Sequence, residues 1–386
     1  MHIKHIELTD FRNYESLKLD FHQNVNLILG NNAQGKTNLL EAIYITSIGR
    51  SFRTNRDSEL VRFGQQAARI CVEAEKEISD TSVEITIKRD SKKSVKKDGV
   101  NIKKTSQLLE NILIVIFSPE DLKIVKDEPE KRRRFIDREL CQIQPRYYDS
   151  LSNYKKTLQQ RNAYLKEERI DPSMLDLWDL QLAKYGARIM ELRDRFIKKI
   201  SVFSGAIHSS ITAGQETLFL EYNPNVALTD DREQLEGFFY DEIKRAFPGD
   251  CRHRTTTRGP HKDDISFYVG GINMRSFGSQ GQQRTCALSL KLAELNLIKE
   301  ETDEDAILLL DVYKRQVLSH LTAQGVDFPD QMPLAGSSDG RIAGHHGDGF
   351  QIDGEEQRLI SHPGRRQSRL AAGMARAYHD DVIFTH

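Results

Sequence analysis

The residues best suited to chemistry stand near the start of the chain, in GNNAQGKT. There Gly30 and Gly35 frame Asn31, Asn32, Ala33 and Gln34, and Lys36 and Thr37 follow. The spacing G-x-x-x-x-G-K-[ST] is that of a loop whose backbone N–H groups wrap phosphate oxygens, since glycine lets the backbone turn tightly and approach closely. Lys36 brings a point charge for the β and γ oxygens, Thr37 a hydroxyl for Mg²⁺, and the helix that opens here adds its dipole. A second candidate, Asp311, ends the apolar run of DEDAILLLD, where parallel α/β sheets place ligand chemistry.

A third signal is FGSQGQQRTCALSLKLAELNL, in which Ser279 and Gly281 precede a long leucine-rich helix. Alone, Ser279 reads equally well as an ordinary N-cap. Beside a phosphate loop and a strand ending in Asp311, the segment reads as the signature loop of an ATP-binding-cassette head, which reaches the γ-phosphate held by a second subunit. That pairing implies a dimer.

The elements that must position these residues follow from periodicity. Short alternating segments, IKHIEL, LKLDF and VNLIL, read as strands leading into the glycine loop and the helix TNLLEAIYITSI. ARICVEAEK, SVEITIKRD and the Asp98-Gly99 turn of SKKSVKKDGVNIKK predict a β-rich lobe, because both central positions of such a hairpin turn need φ > 0. From 118 to 247 the pattern is helical and charged, broken near Asp171-Pro172, which predicts an antiparallel helical arm. The fold class is therefore α/β, a P-loop ATP-binding-cassette head with an inserted arm: residues 1–117 and 248–311 form the head and 118–247 the arm.

Bulk properties set limits. The 386 residues carry a formal net charge of -1 with 29% charged side chains, so overall charge does not decide about nucleic acid. Cys71, Cys141, Cys251 and Cys286 are far apart with no C-x-x-C pair, as expected of thiols in a reducing cytoplasm. The charged start MHIKHIELTD is no signal peptide, and the apolar run ILIVIF is too short to span a bilayer, so a soluble protein without membrane contact is expected.

Taken in order, IKHIELTDFRNYESLKLDF, GNNAQGKTNLLEAIY, GRSFRT, FSPEDLKIVKDEPEKRRRFID, RGPHKDD and FGSQGQQRT resemble the bacterial RecF family over residues 1–311. The resemblance implies a cytoplasmic ATPase head of the SMC-like type with a short arm. It also implies ATP and Mg²⁺ as ligands, single-stranded and gapped DNA as targets, and an ATP-dependent homodimer. RecO and RecR are the implied partners, with RecA loading and SOS induction as outcomes. Carried over by position, residues 30 to 37 bind ATP, Lys36 and Asp311 are catalytic, Thr37 and Asp311 attend Mg²⁺, and Ser279, Gly281 and Gln282 form the signature offered to the partner.

The resemblance fails after Asp311. Val312 stands where the family has a second acidic residue that polarises water, and losing such a positioning group commonly costs ~100-fold or more in rate. Lysine disappears beyond Arg315, and no later segment reads as the interface loop or closing strand, so residues 312–386 are expected as a poorly packed tail foreign to the fold. Without that strand the head would be left with an open sheet edge. A DNA- and ATP-binding module without hydrolysis is the second reading.

Lys131, Arg132, Arg133 and Arg134 are candidate DNA contacts, as is the lysine hairpin, against the plainer reading of solvated faces. His261, Asp263 and Asp264 of RGPHKDD match no ligand spacing and are expected to have a structural or interface role, and His345-His346 to be incidental. A transporter motor is disfavoured by the long helical insertion, and a long-coiled-coil protein because the segment between Thr37 and Ser279 cannot hold hundreds of heptad residues.

Overall fold

Alternating apolar and polar residues build the N-terminal lobe. A computed structural model describes residues 1–312 apart from Asn32 and Asp230, and residues 381–385. Strands β1 (His2–Phe11), β2 (Tyr14–Asp20), β4 (Ala67–Glu75), β5 (Asp80–Lys88), β6 (Ser94–Lys97) and β7 (Val100–Asn101) form an antiparallel sheet in the order β2-β1-β4-β5-β6-β7. Ile6, Leu8, Ile70, Val72, Val83 and Ile85 line its buried face. The opposite face carries a row of cross-strand ion pairs, Glu7 to Arg69 to Glu84 to Lys96. Asp98 and Gly99 turn the last hairpin at φ 49° and 77°, as its sequence predicts.

A second sheet holds the chemistry. Its order is β3 (Asn26–Ile28), β13 (Asp381–Thr385), β12 (Ile307–Val312), β8 (Ile114–Phe117). Strands β12 and β8 are parallel, and β13 runs antiparallel to both β12 and β3. The expectation that no strand follows Asp311 is therefore corrected: residues 381–385 fill the slot between the P-loop strand and the Asp311 strand. The sequence concealed this because DVIFT holds only a three-residue apolar run, Val382 to Phe384, in polar surroundings, too short to declare itself. The rest of the expected tail, 313–380 with His345 and His346, together with His386, lies outside the described residues.

Helix α1 (Lys36–Ile48) is buried nearly all round against these two sheets, ends at Gly49 in the left-handed region, and is followed by the one-turn α2 (Ser106–Leu109). The arm begins with α3 (Pro129–Ile143) and α4 (Pro145–Tyr164), and continues in the 40-residue α5 (Pro172–Ile211). Asp171 caps α5 by accepting from Ser173 N–H, and Pro172 occupies its first turn, where a missing N–H costs nothing. The stretch 118–247 is not wholly helical. Strand β9 (Leu218–Asn223) interrupts it, with Leu218 and Leu220 buried between exposed neighbours, a period-2 signal inside a helical region.

After α6 (Arg232–His253), strand β10 (Asp264–Val269) pairs with β9 and with β11 (Ile272–Asn273) in a three-stranded sheet. The one-turn α7 (Met274–Phe277) then leads into α8 (Gln280–Thr302). One apolar core joins Phe135, Tyr147, Ile189, Phe239, Ile265 and Leu290, so arm helices and signature helix are packed as a single body.

Candidate nucleotide site

The loop after β3 is held by its own side chains and by the β1–β2 turn. Gly35 adopts φ 109°, and a Cβ there would lie 2.6 Å from Asn13 Nδ2, so both conformation and space require glycine. Ala33 also lies in the left-handed region, at φ 67°. Gln34 Oε1 accepts from Asn31 N–H at 2.8 Å, Asn13 Nδ2 donates to the Gln34 carbonyl at 3.0 Å, and Tyr14 OH donates to the Gly35 carbonyl at 3.1 Å. Burial pushes the Tyr14 pKa up to about 12, which keeps it a donor. Asn32 lies outside the described residues.

Lys36 Nζ donates to the carbonyls of Gly30 at 2.6 Å and Asn31 at 3.0 Å, so the ammonium is pinned across the loop. Thr37 Oγ1 donates to Asp311 Oδ1 at 3.3 Å, joining residues 274 positions apart. A hydroxyl and a carboxylate meeting at the edge of a phosphate cradle are hard oxygen donors, the set that suits Mg²⁺ beside a nucleotide. The residues present thus fit both ATP and Mg²⁺.

Arg12, Glu41, Ser51 and Arg53 form a supporting cluster that the sequence reading did not single out. The Glu41 carboxylate is fully buried on α1 and accepts from Arg12 Nε at 2.9 Å and Nη2 at 2.7 Å, from Arg53 Nη1 at 3.2 Å and from Ser51 Oγ at 2.5 Å. Arg53 also donates to Asn38, which bonds Asn13. FRNY and GRSFRT were visible as motifs, but their meeting at one buried carboxylate depends on tertiary contacts.

The signature residues open α8. Ser279 is the N-cap of α8 in a capping box: its Oγ accepts from Gln282 N–H at 3.2 Å, while Gln282 Oε1 accepts from Ser279 N–H at 3.1 Å. Ser279 and Gly281 are exposed, as a loop offered to another molecule must be. Gln282 Nε2 donates to Glu216 Oε1 at 2.8 Å.

The basic run is split by its helix. Arg132 is 1% exposed, paired with Asp264 at 2.6 and 3.0 Å and donating to the Ile124 and Asp127 carbonyls. It is not a DNA contact, and the reading that grouped it with its neighbours is corrected. Position explains this: on α3, Arg132 shares a face with buried Phe135 and Ile136. Arg133 donates to the Asp263 carbonyl at 2.6 Å. Lys131 and Arg134 stay on the surface, each paired one turn away, with Asp127 and Glu130. In the lysine hairpin Lys96 is tied to Glu84, and Lys93, in the turn before it, to Asp57.

RGPHKDD is structural, as its spacing suggested. Asp263 accepts from Arg193 at 3.2 Å, from Asn225 N–H at 2.8 Å and from Tyr222 OH; burial raises its pKa, with Arg193 opposing. Arg193 also holds Asp137 at 2.7 Å. Burial alone would raise the Asp137 pKa, but Arg193, Lys155 and the Tyr147 hydroxyl outweigh it and hold the group below the usual carboxylate range. His261 bonds Tyr154 OH through Nδ1 at 2.7 Å and the Thr256 carbonyl through Nε2 at 2.9 Å.

The chain is similar to known proteins over most of its length. The model of the RecF/RecN/SMC N-terminal domain matches residues 2–316, and the DNA replication and repair protein RecF of Alkaliphilus oremlandii is 44% identical over 313 residues, 81% of this chain and 86% of its own length. The chain belongs to the RecF family. RecF of Clostridioides difficile is likewise 44% identical, over 81% of this chain and 84% of its own. A solved structure of the recombination mediator protein RecF-ATPrS in the RecFOR pathway superposes with TM-score 0.77 at 36% identity, covering 80% of this chain and 85% of that one. The RecF family's SMC-like ATP-binding-cassette head is thus the fold of this chain. Among the described residues no helix is long and apolar enough to cross a membrane.

Proposed function

We propose that this RecF-family chain is an ATP-gated DNA-binding protein of recombinational repair and replication, acting in the cytoplasm on single-stranded or gapped DNA. The observation that carries the reading is the meeting of Thr37 and Asp311 at 3.3 Å. It brings both ends of the head together at one nucleotide and Mg²⁺ site, and the Ser279 loop is exposed. ATP would then be shared between one P-loop and the Ser279 loop of a second copy. Bound Mg-ATP supplies the γ-phosphate that joins the two heads and the anhydride whose cleavage parts them.

In this scheme Lys36 neutralises phosphate charge, Thr37 and Asp311 hold the metal, and Ser279 donates across the interface. RecO and RecR as partners, RecA loading and SOS support follow from family membership. The exposed Lys131 and Arg134 and the half-buried Arg133 remain the DNA-contact candidates on α3.

A second reading is favoured by Val312, which places an apolar residue directly after Asp311. Here the chain binds nucleotide and DNA but turns over slowly, because no carboxylate follows Asp311 to orient water. Light scattering with and without Mg-ATP and gapped DNA, with phosphate release followed in the same samples, separates these readings. ATP-dependent doubling of mass with brisk release supports the gated ATPase. Doubling with little release supports the arrested form, and a Val312→Glu variant should then release phosphate faster. A chain that stays monomeric at saturating ATP overturns sharing of the site.

A further inference from the structure

Glu216 lies in the turn between α5 and β9, far in sequence from any motif, yet it touches the signature directly. Its Oε1 accepts from Gln282 Nε2 at 2.8 Å, and its Oε2 bonds His208 Nε2 at 3.3 Å. His208 is fully buried near the end of α5 and bonds Ser289 of α8 through Nδ1 at 3.1 Å. The turn is fixed: Glu216 N–H donates to Thr212 Oγ1 at 3.3 Å, Thr212 Oγ1 donates to the His208 carbonyl at 2.9 Å, and Ala213 and Gly214 both adopt left-handed φ. Glu216 is thus held by its own backbone while its carboxylate spans α5 and α8.

The consequence lies in the amide of Gln282. A side-chain amide presents an acceptor on one side and donors on the other. The capping box needs the Gln282 oxygen on the Ser279 N–H; turned over, the amide would set its NH₂ against that N–H. A carboxylate at Glu216 permits only the first orientation, because it can accept and cannot donate. With the box closed, Ser279 Oγ uses a lone pair on Gln282 N–H, which leaves its hydroxyl proton to be donated outward.

We infer that Glu216 is a positioning residue for the signature loop: it sets the Gln282 amide, aims the Ser279 hydroxyl at the partner's nucleotide, and ties that loop to α5. The inference rests on the proposed sharing of ATP between two copies. None of the hydrogen bonds described for the P-loop involves Glu216, so nucleotide affinity of the single chain should be unaffected.

The test compares the full chain with E216A and E216Q, measuring binding of a fluorescent ATP analogue and Mg-ATP-dependent dimerisation by light scattering. E216A should bind nucleotide like the parent and require about tenfold higher protein concentration or more to dimerise, the factor associated with one charge-assisted hydrogen bond. E216Q, whose amide oxygen can still accept from Gln282 but whose NH₂ no longer forbids the turned amide, should recover part of the loss. Dimerisation of E216A at the parental concentration overturns the assignment, and so does equal loss in both variants with nucleotide binding intact. A parental chain that never dimerises fails before any variant is compared, which identifies the shared site rather than Glu216 as the error and withdraws the inference with it.

Discussion

The P-loop and the Arg-Asp belt at the root of the arm use the same residue types to opposite ends. At the P-loop, Lys36 is held by two carbonyls of its own loop, while Asp311 bonds Thr37 and Glu41 is taken up by Arg12 and Arg53. In the belt three buried arginines each have their own acid: Arg132 with Asp264, Arg193 with Asp137 and Asp263, Arg161 with Asp179 and Asp250. Cations neutralised internally have nothing left for a ligand. A cation braced by dipoles keeps its charge for an incoming anion. Charge count says little about binding until each charge has been assigned its partner.

The largest effect should come from Lys36→Ala, which should weaken ATP binding about 100-fold or more by removing the ammonium from the cradle, while shifting the melting temperature little. A titration with a fluorescent nucleotide measures the first and a thermal scan the second. If Lys36 were structural, both would change.

Arg193→Ala should instead leave ATP binding of surviving folded protein intact and cost about 3–5 kcal/mol of stability, because it strands two buried carboxylates. Urea denaturation provides the number, and a loss below about 1 kcal/mol would place the belt among ordinary surface pairs.

His261 gives a smaller, pH-dependent contribution. Burial lowers its pKa to about 4 in the folded chain, against an ordinary value of 6.5. The unfolded chain therefore binds the extra proton first. Stability should be complete above pH 6.5 and fall as pH drops from there towards 4, by roughly 3 kcal/mol at most. His261→Asn should flatten that segment of the stability profile. An unchanged slope would mean that other groups carry it.

The smallest effects belong to Lys131→Ala and Arg134→Ala. Each should alter stability by less than about 0.5 kcal/mol, yet lower the slope of log affinity against log salt for gapped DNA by about 1 if it meets a phosphate. An unchanged slope would make the whole α3 run structural and complete the contrast with the P-loop.

These contrasts also show what the sequence could disclose. GNNAQGKT was legible because its function lies in local backbone geometry, and Ser279 because a cap and a long helix are adjacent in the chain. The hairpin at Asp98-Gly99 and the break before Pro172 were legible for the same reason. Arg132 was misread because charge was weighed without helical phase, although Phe135 and Ile136 marked the buried face. Strand β9 hid among helices for lack of length, and β13 for lack of an apolar context. Glu216, His208 and the Glu41 cluster left no local trace, since residues 66, 81 and 29 positions apart meet only once the helices have packed.

Helix α5 gives the molecule a mechanical property. At 1.5 Å per residue its 40 residues span about 60 Å, so a tilt of one degree at one end displaces the other by about 1 Å. Near its end lies His208, bonded to Ser289 of the signature helix; near its start lies Asp179, gripped by Arg161 of α4. A displacement of 1 Å is enough to break a hydrogen bond. Whatever grips the tip of the arm therefore holds the long end of a lever whose short end rests beside the N-terminus of α8, and modest forces applied there can shift the Ser279 loop.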